Sequence, residues 1–195
     1  MIYHIEGRLI EKTPTYAVID AGGVGYLMQI SLNTFTKIGE SENCKLYTES
    51  LYIRDDMPKF YGFADIAERN LFRQLVSVSG VGGNSALLML SSLSAAEIQS
   101  AIVTGNVALL KSVKGIGEKT AQRIIVDLKG KMGKDELTSE FFVGTHNKLK
   151  EEALSALVML GFNKLGAEKV LDKIIKTEGT GQTVEQLIKG ALKSL

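Results

Sequence analysis

Val113-Lys114-Gly115-Ile116-Gly117-Glu118-Lys119-Thr120-Ala121 decides the reading of this chain, because Val78-Ser79-Gly80-Val81-Gly82-Gly83-Asn84-Ser85-Ala86 repeats it at a constant offset of 35 residues. Each copy has the form of a tight turn that opens a helix. Gly115 and Gly117 permit backbone angles closed to residues with a Cβ, and they let another molecule come close to the main chain. The helix that follows, Thr120 through Val126, starts with unpaired N–H groups that together carry roughly half a positive charge. Such a helix start suits a phosphate, and Lys119 and Arg123 add full charges beside it. Ser79, Gly80, Gly82, Gly83 and Asn84 are therefore one candidate phosphate site. Lys114, Gly115, Gly117, Lys119, Thr120 and Arg123 are the other.

Two nucleotide-binding patterns fail here. A P-loop needs four residues between its first glycine and a Gly-Lys-Ser/Thr, which neither copy has. A dinucleotide fingerprint needs a strand before its glycines, whereas Leu109 to Val113 reads as the end of a helix. An ordinary pair of helices with a glycine C-cap would explain one copy as well as phosphate binding does. A second copy with the same Gly-x-Gly, the same small residue and the same flanking apolar residues favours a paired phosphate clamp. The arrangement resembles the helix-hairpin-helix of non-sequence-specific DNA-binding proteins.

The chain has 195 residues, 45% hydrophobic and 23% charged, which is enough to bury a core in one or two domains. No apolar run approaches the roughly 18 residues of a membrane span, and the first eight residues lack the pattern of a signal peptide. A cytoplasmic protein is expected. The single cysteine, Cys44, excludes an internal disulfide and reads as a small buried hydrophobe. No metal or other cofactor is implied. Net charge is +1, but its distribution is informative: residues 1–63 carry 6 basic and 8 acidic groups, 64–133 carry 8 and 5, and 134–195 carry 9 and 9. The basic surplus sits with the hairpins, where phosphate would need it.

The remaining segments fall into order around that centre. Ile2 to Ile10, Tyr16 to Asp20, Gly25 to Ser31, Lys45 to Ile53 and Lys59 to Phe63 are short, β-branched or aromatic and partly alternating, which predicts five strands. Ala21-Gly22-Gly23-Val24 predicts a hairpin turn. Five short strands in about sixty residues suit an oligonucleotide-binding (OB) barrel over residues 1–63. Residues 64–132 read as helical, with a capping box at Ser94 and a stop at Gly105. Residues 133–147 lack periodicity and have the composition of a flexible linker. Residues 148–195 predict three short amphipathic helices resembling the ubiquitin-associated (UBA) fold. The class is α+β and multidomain. Arg54-Asp55-Asp56-Met57-Pro58, between the last two strands, is a polar turn by composition. Its carboxylates have no visible partner for acid–base work.

Taken together, Ile5-Glu6-Gly7-Arg8-Leu9, Gly22-Gly23-Val24-Gly25-Tyr26, the Arg54-Asp55-Asp56 turn ahead of Tyr61-Gly62-Phe63, both hairpins and Leu157 to Phe162 resemble the RuvA family over the whole chain. The resemblance implies a homotetramer on four-way (Holliday) junction DNA, with two tetramers able to enclose the junction as an octamer. It implies minor-groove phosphate contacts from both hairpins of each subunit. Asp55 and Asp56 would form an acidic pin at the junction centre, next to the basic Arg54. The tail would recruit the hexameric ATP-hydrolysing motor RuvB through Leu157, Leu160 and Leu192, with the resolvase RuvC in the same complex, while this chain makes no covalent change. Two positions depart from the family pattern. Gly83-Asn84 stands where Pro-Lys is common, and Glu118 where a basic residue is common, so backbone amides, Lys114, Lys119 and Arg123 must carry more of the grip.

Two other functions compete. Some DNA glycosylases use a helix-hairpin-helix with a nucleophilic lysine at the position of Lys119, but they need a catalytic Asp at a fixed distance beyond it. Leu137 stands 18 residues on, and Asp135 two short of that, so the spacing fails. A repair scaffold without junction preference fits the residues too. Relative binding to a four-way junction and to a linear duplex separates the two binding roles.

Overall fold

The alternation along the first sixty residues builds five strands: β1 (His4–Lys12), β2 (Tyr16–Ala21), β3 (Val24–Ile30), β4 (Asn43–Leu51) and β5 (Lys59–Phe63). The computed structural model describes residues 2–39, 42–52, 57–135, 145–178 and 182–194. The strands close into a barrel in the order β1-β2-β3-β5-β4; β3 and β5 run parallel and the other neighbours antiparallel. Every second residue points inward, so Ala17 and Ile19 of β2, Met28 and Ile30 of β3, and Cys44 and Leu46 of β4 fill the interior. Cys44 is the small buried hydrophobe expected, and burial pushes its thiol pKa up. The β2–β3 turn has positive φ at both Gly22 (67°) and Gly23 (86°), as a two-residue hairpin requires. Arg54, Asp55 and Asp56 lie outside the described residues.

A short helix, α1 (Leu32–Lys37), follows β3. Ser31 reads as a strand end in sequence but instead caps α1, accepting from the Thr34 backbone N–H at 3.0 Å. The helix then seats the next segment. Glu68, 2% exposed, accepts hydrogen bonds from the hydroxyls of Ser31 and Thr34. Thr34 also accepts from the Ala64 backbone N–H at 3.1 Å. Asp65 caps α2 (Ile66–Val76) through the Glu68 N–H at 2.7 Å and receives the Lys37 ammonium at 2.6 Å. Burial alone would raise the Asp65 carboxyl pKa; its hydrogen bonds from Lys37 and from the backbone hold it below the usual value.

Five helices form the second part of this unit: α2, α3 (Gly83–Ser92), α4 (Ala95–Thr104), α5 (Val107–Lys111) and α6 (Glu118–Asp135). Their core includes Phe72, Leu75, Met89, Ile98, Ile102 and Ile124, and it also takes in Tyr61 and Phe63 from the barrel. Strand β5 is thus a shared wall. On its inner side an added Cβ at Gly62 would stand 2.8 Å from Leu46 Cδ1. On its outer side the rings of Tyr61 and Phe63 lie 4.7 and 5.0 Å from Phe72. Barrel and helices consequently form one compact unit, Met1–Thr138, with Ser139–Leu195 the second. The capping box at Ser94 and the left-handed C-cap at Gly105 (φ 75°) appear as expected.

Both ends of the expected 133–147 linker are helical. Helix α6 continues to Asp135, and α7 (Thr145–Met159) begins at Thr145. The expected Phe141-Phe142-Val143 cluster lies outside the described residues. The second unit holds α7, α8 (Lys164–Glu178) and α9 (Val184–Leu192) around Ala153, Leu157, Leu171, Ile174, Leu187 and Ala191. Gly161 (φ 97°) ends α7: the Phe162 N–H donates to Leu157 O at 3.1 Å and the Gly161 N–H to Val158 O at 3.0 Å. That pair of bonds is a Schellman stop. Thr183 and Gln186 form the expected capping box at α9. The expected stop at Gly179 lies outside the described residues.

Two substitutions test this account. A Cβ at Gly7 would stand 2.1 Å from the Asp20 carbonyl oxygen, which is backbone and cannot rotate away. Gly7→Ala should therefore cost about 3 kcal/mol in denaturant unfolding. Asp65→Ala should cost about 1 kcal/mol through the lost cap. Because the folded Asp65 pKa is depressed, its contribution is present above the unfolded carboxylate pKa and is lost as pH falls through the folded one. The variant should accordingly lose less stability than the parent on acidification.

Candidate nucleic-acid interface

The sequence repeat is also a repeat of hydrogen bonds. In the first hairpin the Ser77 N–H donates to Arg73 O (3.2 Å), Val78 to Leu75 (3.1 Å), Val81 to Val78 (3.0 Å) and Ala86 to Gly82 (2.9 Å). In the second, Ser112 donates to Ala108 (3.1 Å), Val113 to Leu110 (3.3 Å), Ile116 to Val113 (3.1 Å) and Ala121 to Gly117 (2.9 Å). The apolar residues that hold each turn, Val78, Val81 and Ala86 or Val113, Ile116 and Ala121, are buried in both copies.

The glycines divide into two kinds. Gly80 (φ 93°) and Gly115 (φ 89°) occupy the left-handed region, where a side chain is strained. Gly82 is extended (φ −87°, ψ 170°), and Gly117 has no positive φ either. This corrects the expectation that Gly117 is needed for its backbone angles. What both keep is space, since an added Cβ at either would meet nothing within 4 Å. That space leaves room for close approach from outside the chain, which is the other half of the expectation.

Helices α3 and α6 begin at these glycines, and α3 has no side-chain cap. In each, the fourth N–H, that of Ala86 or Ala121, is the first to reach a carbonyl. The N–H groups of Gly83, Asn84 and Ser85, and of Glu118, Lys119 and Thr120, have no partner among the described residues. Both hairpin mouths therefore present convergent donors at the positive end of a helix dipole. Around the second mouth Lys114, Lys119 and Arg123 are exposed and have no carboxylate partner among the described residues. Glu118 does not face solvent alone, because Lys111 Nζ lies 2.9 Å from its Oε2. The equivalent positions of the first hairpin, Ser79, Asn84 and Leu88, carry no charge.

The first hairpin is also locked to the barrel. A Cβ at Gly83 would stand 2.3 Å from Tyr61 Oη. Beside this contact lies a recess of about 420 Å³, lined in part by Tyr52, Lys59, Tyr61, Gly82, Gly83 and Asn84. Neither the Gly83–Tyr61 contact nor Lys59 belongs to the expected site. The signal for Lys59 lay in the alternation of β5, which puts it on the same side as Tyr61 and Phe63.

In the second unit the three expected partner-binding leucines separate. Leu157 is fully buried and belongs to the three-helix core, because it lies on the face of α7 turned toward α8 and α9. It is corrected to a core residue. Leu160 (61% exposed) and Leu192 (45%) remain on the surface, with Met159 and Leu165 also exposed. Among the described residues no single helix is long and apolar enough to cross a membrane.

Fold and site together define a tandem helix-hairpin-helix protein built on a closed five-stranded barrel. Residues 1–62 match the family model of the RuvA N-terminal domain, 72–130 the SAM-like helix-hairpin-helix tandem, and 148–195 the RuvA C-terminal domain. Curated proteins described as Holliday junction branch migration complex subunit RuvA match along their full length. One from Christiangramia forsetii is 52% identical over 195 residues, covering all of both chains. One from Flavobacterium psychrophilum is 48% identical with the same coverage, and one from Cytophaga hutchinsonii is 46% identical over 99% of each chain. The chain belongs to the RuvA family.

The buried and the exposed leucines of the second unit predict different outcomes. Leu157→Ala should destabilise that unit by about 2–5 kcal/mol, whereas Leu160→Ala should stay within about 0.5 kcal/mol. Hydrogen exchange of α7–α9 in the full chain reads both.

Proposed function

We propose that this chain binds four-way DNA junctions without reading sequence, as the DNA-recognition subunit of a branch-migration complex in recombination and repair. The observation that carries the reading is the pair of hairpins, alike bond for bond, each with unpartnered amides behind a glycine that keeps open space. The full-length relatives named as branch migration complex subunits support it. Each hairpin takes a phosphate of the minor groove at a helix start, worth about 0.3–1 kcal/mol by charge–dipole attraction. Many such contacts on one rigid ligand add up through multivalency. Phosphate contacts position the duplex and carry no base information, so the preference is for shape.

The subunit acts as a homotetramer, and two tetramers can enclose the junction. Asp55 and Asp56 stand at its centre as the acidic pin, repelling phosphates to hold the arms apart, with Arg54 beside them. The exposed Leu160 and Leu192 dock the hexameric motor RuvB, which hydrolyses ATP, and RuvC can join the assembly. The subunit itself is non-catalytic and cytoplasmic. A glycosylase reading has no matching carboxylate at the required distance beyond Lys119.

Gel shifts on a four-way junction and on a linear duplex of equal length test the reading. The expected result is a clear preference for the junction; equal binding would return the scaffold reading, and incision of damaged DNA the enzyme. Gly82→Val with Gly117→Val fills both open spaces and should abolish junction binding while the fold persists by circular dichroism. Glu118→Lys removes a like charge from the second mouth and should tighten binding; a steep loss instead would overturn the assignment of that mouth to phosphate.

A further inference from the structure

The two hairpins share one backbone but not one electrostatic character. At the positions where the second carries Lys114, Lys119 and Arg123, the first carries Ser79, Asn84 and Leu88. A phosphate at the first mouth would meet amides and no cation from the hairpin itself. The recess at that mouth nevertheless contains a lysine, contributed by the barrel. Lys59 lines it together with Gly82, Gly83, Asn84 and Ser85. Its position follows from strand geometry. Residues two apart share a face about 6.7 Å apart, and Tyr61, two residues on, points at Gly83, where its Oη would clash with a Cβ. Lys59 therefore lies one strand repeat along the same face, beside the start of α3. Its ladder neighbour is Leu51 of β4, and among the described residues it has no carboxylate partner.

We propose that Lys59 is a phosphate-binding residue, supplying from the barrel the cation that the first hairpin lacks. The proposal rests on the reading of the hairpins as a junction-binding surface. It makes the first phosphate site composite: donors come from α3 and charge comes from β5, and the Gly83–Tyr61 contact fixes the distance between them. The second site is self-contained. Asn84 and Lys59 then form a complementary pair, so a lysine at 84 should make the lysine at 59 dispensable.

Junction binding by the full chain, measured from 50 to 200 mM salt, tests this. Each lysine–phosphate pairing removed should lower the slope of log K against log[salt] by about 0.9, so the four copies in a tetramer together lower it by about 3.6, equivalent to about a 150-fold smaller salt effect across that range. Lys59→Gln should show that reduction and weaker binding at low salt, with an unchanged thermal melt. Lys59→Gln with Asn84→Lys should recover both slope and affinity. If Lys59→Gln matches the parent while Lys119→Gln with Arg123→Gln loses affinity, the proposal fails and the junction surface stands. If Lys59→Gln weakens binding but Asn84→Lys does not rescue it, the cation acts elsewhere and the proposal also fails. If none of these variants changes binding, the junction surface itself is wrong.

Discussion

The position of everything that matters in the first unit depends on β5 being packed from both sides. Its inward residues complete the barrel, and Tyr61 and Phe63 complete the helical core through Phe72. A strand inside a closed barrel cannot slide without breaking two ladders, so helices that pack on its outer face inherit that rigidity. The polar cluster at Glu68 adds direction to this apolar contact. Two hydroxyls on a buried carboxylate are satisfied in one geometry, and a carboxylate left unpaired there would be costly. Apolar burial supplies most of the stability, and the hydroxyl–carboxylate cluster fixes how α2 leaves the barrel. The hairpins follow from α2, and their spacing is therefore set before any ligand arrives.

Rigid spacing is what makes weak contacts useful. One helix start attracts a phosphate by less than the thermal advantage of losing it to water and salt. Contacts fixed relative to one another are entered together, and only the first carries the full cost of association. At Gly82 and Gly117 neither a positive φ nor a packing neighbour demands glycine. On the proposed reading, a side chain there would hold a phosphate away from the amides, and charge–dipole attraction fades within a turn.

Much of this was legible in the sequence because the informative features were local. The offset between the hairpins, the Gly22-Gly23 turn, the capping boxes at Ser94 and Thr183 and the alternation of the strands all depend on near neighbours, and each appears in the structure. The parts that were not legible depend on residues distant in the chain. Ser31 looks like the end of a strand until Glu68, 37 positions away, is placed against it. Leu157 looks like a surface leucine beside Leu160 until α8 and α9 cover one side of α7. Gly117 is subtler: a glycine surrounded by open space looks the same in sequence as one needed for its backbone angles.

A chain with net charge +1 can still hold a polyanion because screening makes binding a local matter. At physiological ionic strength charges interact over about 8 Å, so the acidic surplus of residues 1–63 does not cancel cations at the second hairpin unless it lies within that range. The question at each mouth is which charges stand inside that radius. At the second, Lys111 pairs with Glu118 and leaves Lys114, Lys119 and Arg123 in excess. At the first, the helix that opens the site contributes none, and the lysine lining the recess comes from the barrel. Charge at this mouth thus depends on tertiary packing, and so would its tolerance of change under the proposed reading: a lysine on either wall of the recess would meet the same phosphate, whereas one farther round the barrel would be screened from it.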